Sequence, residues 1–226
     1  MSGGQLDRPD ALVFDLDGTL IDSRADITTA INRMRAGYGL APLSLEQVVG
    51  MVGEGARVLI ERAAGTELPA ERLDEALAVY LDHYREVCLD TTRPYPGVEA
   101  MLADLAAAFP LALLSNKGEA LSRRVLEGLG LARHFREILG GDSLPTRKPD
   151  PAGLLLLAGR LGVPAGRLLL VGDTRIDAET AQAAGCAFVL VEWGFPRPPG
   201  AGEVKADLRI GEARQLVEAL GAAPAR

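Results

Sequence analysis

Two carboxylates stand two residues apart where an apolar run near the start of the chain ends. Asp15 and Asp17 follow Ala-Leu-Val-Phe and precede Gly-Thr-Leu. Like charges this close oppose each other's ionisation unless a cation or a shared proton intervenes. One carboxylate can attack an electrophile, and a second can transfer protons. The pair therefore predicts chemistry at the end of a buried strand, with a cation close by.

Three more polar clusters follow later apolar runs. If these runs are parallel strands, their carboxyl ends meet at one edge of the sheet, where ligands bind in open α/β folds. The clusters together supply a hydroxyl, an amide, two ammonium groups and two carboxylates. They are Ser115, Asn116 and Lys117 after residues 111–114, Lys148 in the loop before Asp150, and Asp173 with Asp177 after residues 168–171.

Lysine is rare in this chain, because only Lys117, Lys148 and Lys205 stand among its 24 basic residues. A lysine places a compact point charge on a flexible stem, which the planar guanidinium of arginine does not do in a tight site. We expect Lys205 to be a solvated surface residue. Lys117 and Lys148 are expected near the acids.

Apolar runs alternate with helical spacing through the second half of the chain. The runs at residues 11–15, 111–114, 168–171 and 187–191 have the continuous pattern of strands that are buried on both faces. Such alternation predicts an α/β fold with a doubly wound, mostly parallel, Rossmann-like sheet.

Only helical periodicity follows the first strand, as far as about residue 90. Ser44 and Gln47 form a capping box, and residues 73–88 carry the clearest amphipathic stripe. We therefore expect an all-helical cap domain inserted into the core, with hinges at residues 21–23 and 91–97. The predicted division is a core domain of residues 1–21 and 93–226 and a cap domain of residues 22–92.

The clusters together describe a site for hydrolytic phosphoryl transfer. Asp15 follows the strand directly and suits the nucleophile that forms an acyl phosphate, and it also suits a metal ligand. Asp17 suits the general acid and base. A hard divalent cation, Mg²⁺, would offset the repulsion between carboxylate and phosphate, and Asp173 would complete its site.

The other polar residues would hold the phosphate. Gly18 and Thr19 could present backbone N–H groups to it, and Ser115 and Lys148 could bind its other oxygens in the transition state. Asp177 would hold Lys148 or a metal-bound water in place.

Four ordered motifs resemble those of the haloacid dehalogenase-like phosphatase superfamily. They are Asp-Leu-Asp-Gly-Thr-Leu from Asp15, Ser115 with Asn116, Lys148 with Pro149, and Gly-Asp-Thr-Arg-Ile-Asp from Gly172. The resemblance spans nearly the whole chain and includes a helical cap after the first motif. The founding dehalogenases lack the second acid of the first motif and need no magnesium, so Asp17 indicates a phosphatase.

The resemblance implies a role for each matching residue. Asp15 would be the nucleophile and Asp17 the general acid and base, with Ser115 and Asn116 at the substrate. Mg²⁺ would be held by Asp15, the main-chain carbonyl of Asp17, and Asp173.

The cap resembles that of the phosphoglycolate phosphatases, through the loop at residues 52–57 and the return to the core at residues 94–98. In that family the cap loop closes over the site and meets the end of the substrate that carries no phosphate. Arg57 could then bind a substrate carboxylate, since arginine does this in a bidentate way. A salt bridge within the cap is the other interpretation of Arg57.

Other activities of this superfamily fit less well. A phosphonatase needs a cap lysine, and residues 21–92 contain none. A β-phosphoglucomutase-like mutase shares all four motifs and stays open, as does a phosphatase for another small phosphate or pyrophosphate. A binding protein without activity would be expected to have lost at least one of four residues, and all four are present: Asp15, Asp17, Lys148 and Asp173.

The composition limits the partners. A net charge of −7 and a pI near 5.0 give no electrostatic footprint for nucleic acid or an anionic membrane. No apolar run approaches the ~20 residues needed to span a bilayer. We expect a soluble cytoplasmic protein, monomeric or homodimeric, that acts on a small phosphorylated metabolite.

Overall fold

The structure is a computed structural model that describes residues 7–196 and 202–222. Strands and helices alternate through its second half. The strands are β1 (Ala11–Phe14), β2 (Ile21–Asp22), β3 (Arg93–Pro94), β4 (Leu111–Leu114), β5 (Glu137–Leu139), β6 (Leu168–Gly172), β7 (Ala187–Val191) and β8 (Leu208–Ile210). The helices are α1 (Arg24–Gly37), α2 (Leu45–Val49), α3 (Ala56–Ala64), α4 (Leu73–Val87), α5 (Val98–Ala108), α6 (Glu119–Gly128), α7 (Ala152–Leu161), α8 (Arg175–Ala184) and α9 (Ala213–Ala219).

Among the described residues, six strands form one parallel sheet in the order β5-β4-β1-β6-β7-β8. Alternate residues of β1 enter two different apolar clusters, Leu12 and Phe14 on one face and Ala11 and Val13 on the other. The first cluster includes side chains of α5, α6 and α9, and the second includes those of α7 and α8. The predicted α/β class with a doubly wound parallel sheet is confirmed.

Helices α1 to α4 form the insert between β2 and β3. The Ser44–Gln47 capping box is present at the start of α2, as the sequence predicts. The stripe on α4 is buried through Ala76, Tyr80, Tyr84 and Val87, which pack in the same apolar cluster as α1. Within the described residues, no helix is both long and apolar enough to cross a lipid bilayer.

The chain leaves and re-enters the sheet part through a two-stranded antiparallel ribbon in which β2 pairs with β3. Beside this ribbon the buried carboxylate of Asp26, on α1, accepts hydrogen bonds from the N–H and hydroxyl groups of Thr91 and Thr92. The start of the insert is thereby tied to its end. The division at residues 22 and 93 stays a prediction, and its residues 1–6, 197–201 and 223–226 lie outside the described part.

Candidate active site

The polar clusters predicted at the strand ends do meet. Strand β1 lies between β4 and β6, at the point where successive connections leave in opposite directions, and open α/β sheets bind ligands at such a point. Asp15 follows β1, Ser115 follows β4 and Asp173 follows β6. All three side chains are buried.

Three carboxylates form the centre of this site. Oxygen atoms of Asp15, Asp173 and Asp177 lie within 4.8 Å of one another, and each residue is buried. The Lys148 ammonium lies 2.8 Å from Asp15 Oδ1 and donates to Asp177 Oδ1 at 2.6 Å. One buried cation therefore stands against three buried acids.

Asp177 has a second contact that explains its position. Its other oxygen, Oδ2, accepts from the N–H and the hydroxyl of Thr174 at 3.1 and 2.6 Å, which forms the capping box of α8. A Cβ atom on Gly172 would lie 2.4 Å from the Asp177 carboxyl carbon, so this approach requires glycine. Asp177 therefore does two things: one carboxylate oxygen caps the start of α8, and the other binds Lys148.

The pKa values reflect the surplus of negative charge. Burial raises the pKa of Asp15 to about 6, although Lys148 opposes the shift. Burial, together with the charges of Asp15 and Asp177, holds the pKa of Asp173 well above its usual range. Although burial alone would lower it, Asp15 and Asp177 raise the pKa of Lys148, which stays charged. Hard oxygen donors with uncompensated charge fit a small divalent cation such as Mg²⁺.

These shifts predict how the stability of the metal-free protein depends on pH. A raised carboxyl pKa means that the folded state holds its proton more tightly than the unfolded state, so stability is lost as pH rises. For Asp15, a change from 3.8 to about 6 corresponds to about 3 kcal/mol, lost between about pH 4 and pH 7. Asp173 adds to the loss in the same direction.

Denaturant unfolding in the presence of a chelator measures this effect. We expect the metal-free wild-type protein to lose stability relative to Asp15→Asn as the pH is raised from 4 to 7. Added Mg²⁺ should remove the difference. Parallel pH profiles for the two metal-free proteins would contradict the assignment of surplus charge to this cluster.

Asp173 is held from two sides. The hydroxyl of Thr19 donates to Asp173 Oδ1 at 3.2 Å, and the backbone N–H of Phe195 donates to Oδ2 at 3.0 Å. Gly18, at φ +86°, passes so close that a Cβ atom there would lie 2.2 Å from Asp173 Oδ2. Asp173 therefore depends for its orientation on the loop after β1 and on the segment after β7.

The backbone N–H groups of Gly18 and Thr19, which the sequence predicts at the phosphate, have other hydrogen-bond partners in the structure. The Gly18 N–H donates to the carbonyl of Ile21, and the Thr19 N–H donates to the carbonyl of Leu16. Neither residue is among the described residues that line the cavity next to Asp15. Their contacts shape the turn and orient Asp173, because the turn itself uses their N–H groups.

Asp17 lies beside the acid cluster and has its own partners. Its Oδ1 atom accepts from the Ser23 hydroxyl at 2.5 Å and from the Lys117 ammonium at 2.7 Å. Lys117 also donates to the phenol oxygen of Tyr84, on α4, at 2.6 Å. The predicted acid and base is therefore held by Ser23, just after β2, and by Lys117, which is itself held by Tyr84 of the insert.

A cavity of about 390 Å³ opens between the insert and the edge of the sheet. Its polar lining includes Asp15, Asp17, Ser115 and Lys148, so the predicted nucleophile, acid, hydroxyl and ammonium share one space. The insert contributes mostly apolar lining, from Ile27, Val49, Val52, Leu59, Tyr80, Leu81 and Tyr84.

Asn116 joins the insert to the core at this cavity. Its side-chain N–H₂ donates to the carbonyl of Gly53, in the insert loop, at 2.9 Å and to the carbonyl of Lys148 at 3.0 Å. Arg147 adds a contact to the carbonyl of Glu54. Asn116 lines the cavity as predicted, but its donors are used for the loop and for the Lys148 backbone.

Arg57 is not brought to the cavity. Its guanidinium pairs with Glu61 at 2.8 Å and with Asp74, so the cap salt bridge that the sequence left open is the arrangement present. Arg62, five residues later on α3, lines the cavity instead and pairs with Glu54. Arg62 and not Arg57 faces the cavity because residues five apart point to different sides of a helix.

Comparisons with known proteins agree with this geometry. A model of the haloacid dehalogenase-like hydrolases matches residues 12–191. The chain is 44% identical over 200 residues to a protein of Rhodospirillum rubrum named phosphoglycolate phosphatase, covering 84% of this chain and 83% of that one. A protein of the same name from Chromobacterium violaceum is 39% identical over 213 residues, covering 92% and 95%.

A solved structure is also similar. It is described as a predicted phosphoglycolate phosphatase from Haemophilus somnus, with a TM-score of 0.88, 30% identity and coverage of 94% of this chain and 98% of that one. The motifs, the sheet order and these matches point the same way. On these grounds the chain belongs to the haloacid dehalogenase-like hydrolases.

Proposed function

We propose that the protein is a Mg²⁺-dependent phosphomonoester hydrolase whose substrate is 2-phosphoglycolate. The observation that carries the proposal is the position of Asp15. Its carboxylate lines the cavity, touches Lys148 at 2.8 Å, and lies within the acid cluster. These contacts support a nucleophile, a counter-charge for phosphate and a set of metal ligands close to one another.

In the first step, an Asp15 carboxylate oxygen attacks phosphorus and the bond from phosphorus to the bridging oxygen breaks. Asp17 donates a proton to the leaving oxygen, which gives glycolate and phosphorylated Asp15. In the second step, Asp17 takes a proton from water, the water oxygen attacks phosphorus, and the bond from phosphorus to the Asp15 oxygen breaks, which releases inorganic phosphate and restores the Asp15 carboxylate.

The buried residues support the charge that develops. Lys148 lies at the nucleophile and stays charged, and the Ser115 hydroxyl lines the same cavity. Mg²⁺, when bound by Asp15, Asp173 and the main-chain carbonyl of Asp17, would neutralise charge on the phosphate. The contacts from Thr19 and Phe195 hold Asp173 ready for that role.

The substrate rests on the relatives and on the cavity. Two relatives that cover most of this chain are named phosphoglycolate phosphatase. Glu54, which lines the cavity, is paired with Arg62, so its charge is balanced when an anionic substrate enters. The cytoplasmic location and the monomeric or homodimeric state stay predictions.

A substrate panel tests the proposal. We expect 2-phosphoglycolate to have the highest kcat/KM among phosphomonoesters that include sugar phosphates, nucleotides and pyrophosphate. A higher value for another small phosphate would overturn the substrate while keeping the hydrolase. An isomerised hexose phosphate as the product would indicate a mutase.

Arg57 offers a further test, because its ion pairs lie within the insert. We expect Arg57→Ala to change kcat/KM for 2-phosphoglycolate by less than about threefold, since exposed ion pairs contribute little. Steady-state kinetics against the wild-type protein measures the change. A KM raised more than about tenfold would restore the substrate contact that the sequence suggests.

A further inference from the structure

We propose that Lys117 is the cation that binds the carboxylate of the substrate, and that it thereby selects short phosphomonoesters that carry an acid next to the bridging oxygen. The inference rests on the proposed function and adds to it the residue that reads the end of the substrate without phosphate. None of the motif roles above includes this lysine.

Lys117 is placed at the reacting end of the cavity. It lines the cavity, and only 8% of its side chain is exposed. An ammonium has three N–H donors, and the contacts described for Lys117 use two of them, to Asp17 Oδ1 and the Tyr84 phenol oxygen. One donor thus stays available to a ligand.

The other cations in the described lining are committed elsewhere. Lys148 is bound between Asp15 and Asp177 and belongs to the phosphate end. Arg62 pairs with Glu54, and Arg175 pairs with Glu179 at 2.6 Å with 73% of its side chain exposed. Lys117 is therefore the buried cation of this lining that lies beside the proton donor for the leaving group.

The distances suit a carboxylate two bonds from the leaving oxygen. A proton donor acts at about 2.6–3.2 Å, so a leaving oxygen bound to Asp17 Oδ1 lies no more than about 6 Å from Lys117 Nζ. In 2-phosphoglycolate the carboxylate oxygens lie about 3 Å from the bridging oxygen, by ordinary bond lengths. A carboxylate turned toward Lys117 then completes a charge-assisted hydrogen bond.

Tyr84 holds the ammonium in this place. Its phenol oxygen accepts from Nζ at 2.6 Å, and Nζ lies 4.6 Å from the centre of its ring, which adds a cation–π contact. Burial raises the pKa of Tyr84 well above its usual value, so the phenol stays neutral and does not cancel the charge of Lys117. Tyr84 of the insert therefore holds the ammonium in place, and Lys117, which follows β4, provides the positive charge.

Two variants and two substrates test the proposal. Lys117→Met removes the charge, and Lys117→Gln removes it while keeping a donor for Asp17. The substrates are 2-phosphoglycolate and 2-phosphoglycolamide, in which a neutral amide replaces the carboxylate. Lys205→Met is the matched control, because Lys205 is exposed.

The measured quantity is the ratio of kcat/KM for the acid to that for the amide. We expect both Lys117 variants to lower this ratio by at least about tenfold, and Lys205→Met to leave it unchanged. A partly folded variant does not alter the ratio, because the inactive fraction cancels. A role limited to holding Asp17 would lower both rates equally and keep the ratio.

The outcomes separate the two proposals. A wild-type protein that does not prefer the acid to the amide would overturn 2-phosphoglycolate as substrate. A wild-type preference that both Lys117 variants retain would overturn only the role of Lys117.

Discussion

Replacing Asp15 with asparagine should lower the rate of 2-phosphoglycolate hydrolysis by at least about 10⁴-fold, the scale on which losing a nucleophile acts. The amide oxygen of asparagine cannot form the acyl phosphate, while its size matches that of the carboxyl group. Lys148 keeps its contact with Asp177 at 2.6 Å, so the neighbouring geometry has a second support. Phosphate release and intact-protein mass spectrometry under turnover measure the two consequences.

The variant should keep its fold and gain stability without metal, since one of three crowded acids is gone. The mass of one added phosphoryl group should appear on the wild-type protein and be absent from the variant. Asp82→Asn, on the exposed face of α4, is the matched control and should retain full activity. Near-normal turnover by Asp15→Asn would remove the proposed mechanism.

Removing divalent metal should abolish activity, by more than about 10³-fold, and added Mg²⁺ should restore it. The buried cluster of Asp15, Asp173 and Asp177 has one cation, Lys148, among its contacts, and a dianionic phosphate adds further negative charge. Without a metal ion the substrate meets uncompensated carboxylates. Activity after chelation, and its return during titration with Mg²⁺, measures this dependence.

Asp173→Asn tests the same point at one residue. The asparagine oxygen can accept from the Phe195 N–H, and its amide N–H₂ can donate to the Thr19 hydroxyl, so both neighbours keep a contact with the residue. The variant should need a much higher Mg²⁺ concentration for the same rate. Full hydrolysis in a chelator, or an unchanged Mg²⁺ titration for Asp173→Asn, would contradict the assignment of Asp173 to the metal.

The sheet and its polar edge could be predicted because they depend on local patterns. Runs such as residues 111–114 are apolar without alternation, which indicates a strand covered on both faces, and they are the strands found. Parallel strands carry their carboxyl ends to one edge, so Asp15, Ser115 and Asp173 had to lie near one another. The contact between Asp177 and Lys148 is one of the two arrangements that the sequence left open for Asp177, the other being a contact with a metal-bound water.

Contacts that depend on how the insert docks could not be predicted in this way. Lys117 and Asp17 are 100 residues apart, and the contact of Lys117 with Tyr84 requires the position of α4 over the sheet edge. The rarity of lysine singled out Lys117, but not its partner. Arg57 and Arg62 differ by less than two helical turns, and only the packing of α3 decides which of them faces the cavity.

The hydrogen-bond partners of the Gly18 and Thr19 N–H groups could not be predicted either, for a different reason. The motif indicates a tight turn, and a tight turn uses its own donors, here toward Ile21 and Leu16. Side-chain types reveal nothing about which backbone donors stay available. The residues were predicted at the site, while their contacts follow from the path of the backbone.

The ribbon of β2 and β3 has a consequence for how such a protein can change. Paired strands lie about 5 Å apart, so the insert leaves the sheet part and returns to it at nearly one point. Because that gap is already closed, the length of the chain between the two strands is not fixed by the need to rejoin the sheet. The hydrogen bonds from Thr91 and Thr92 to Asp26 then join the end of the insert to its start. The insert can therefore differ in length while Asp15, Ser115 and Asp173 keep their places at the strand ends, provided that its contacts with Asn116 and Lys117 are replaced.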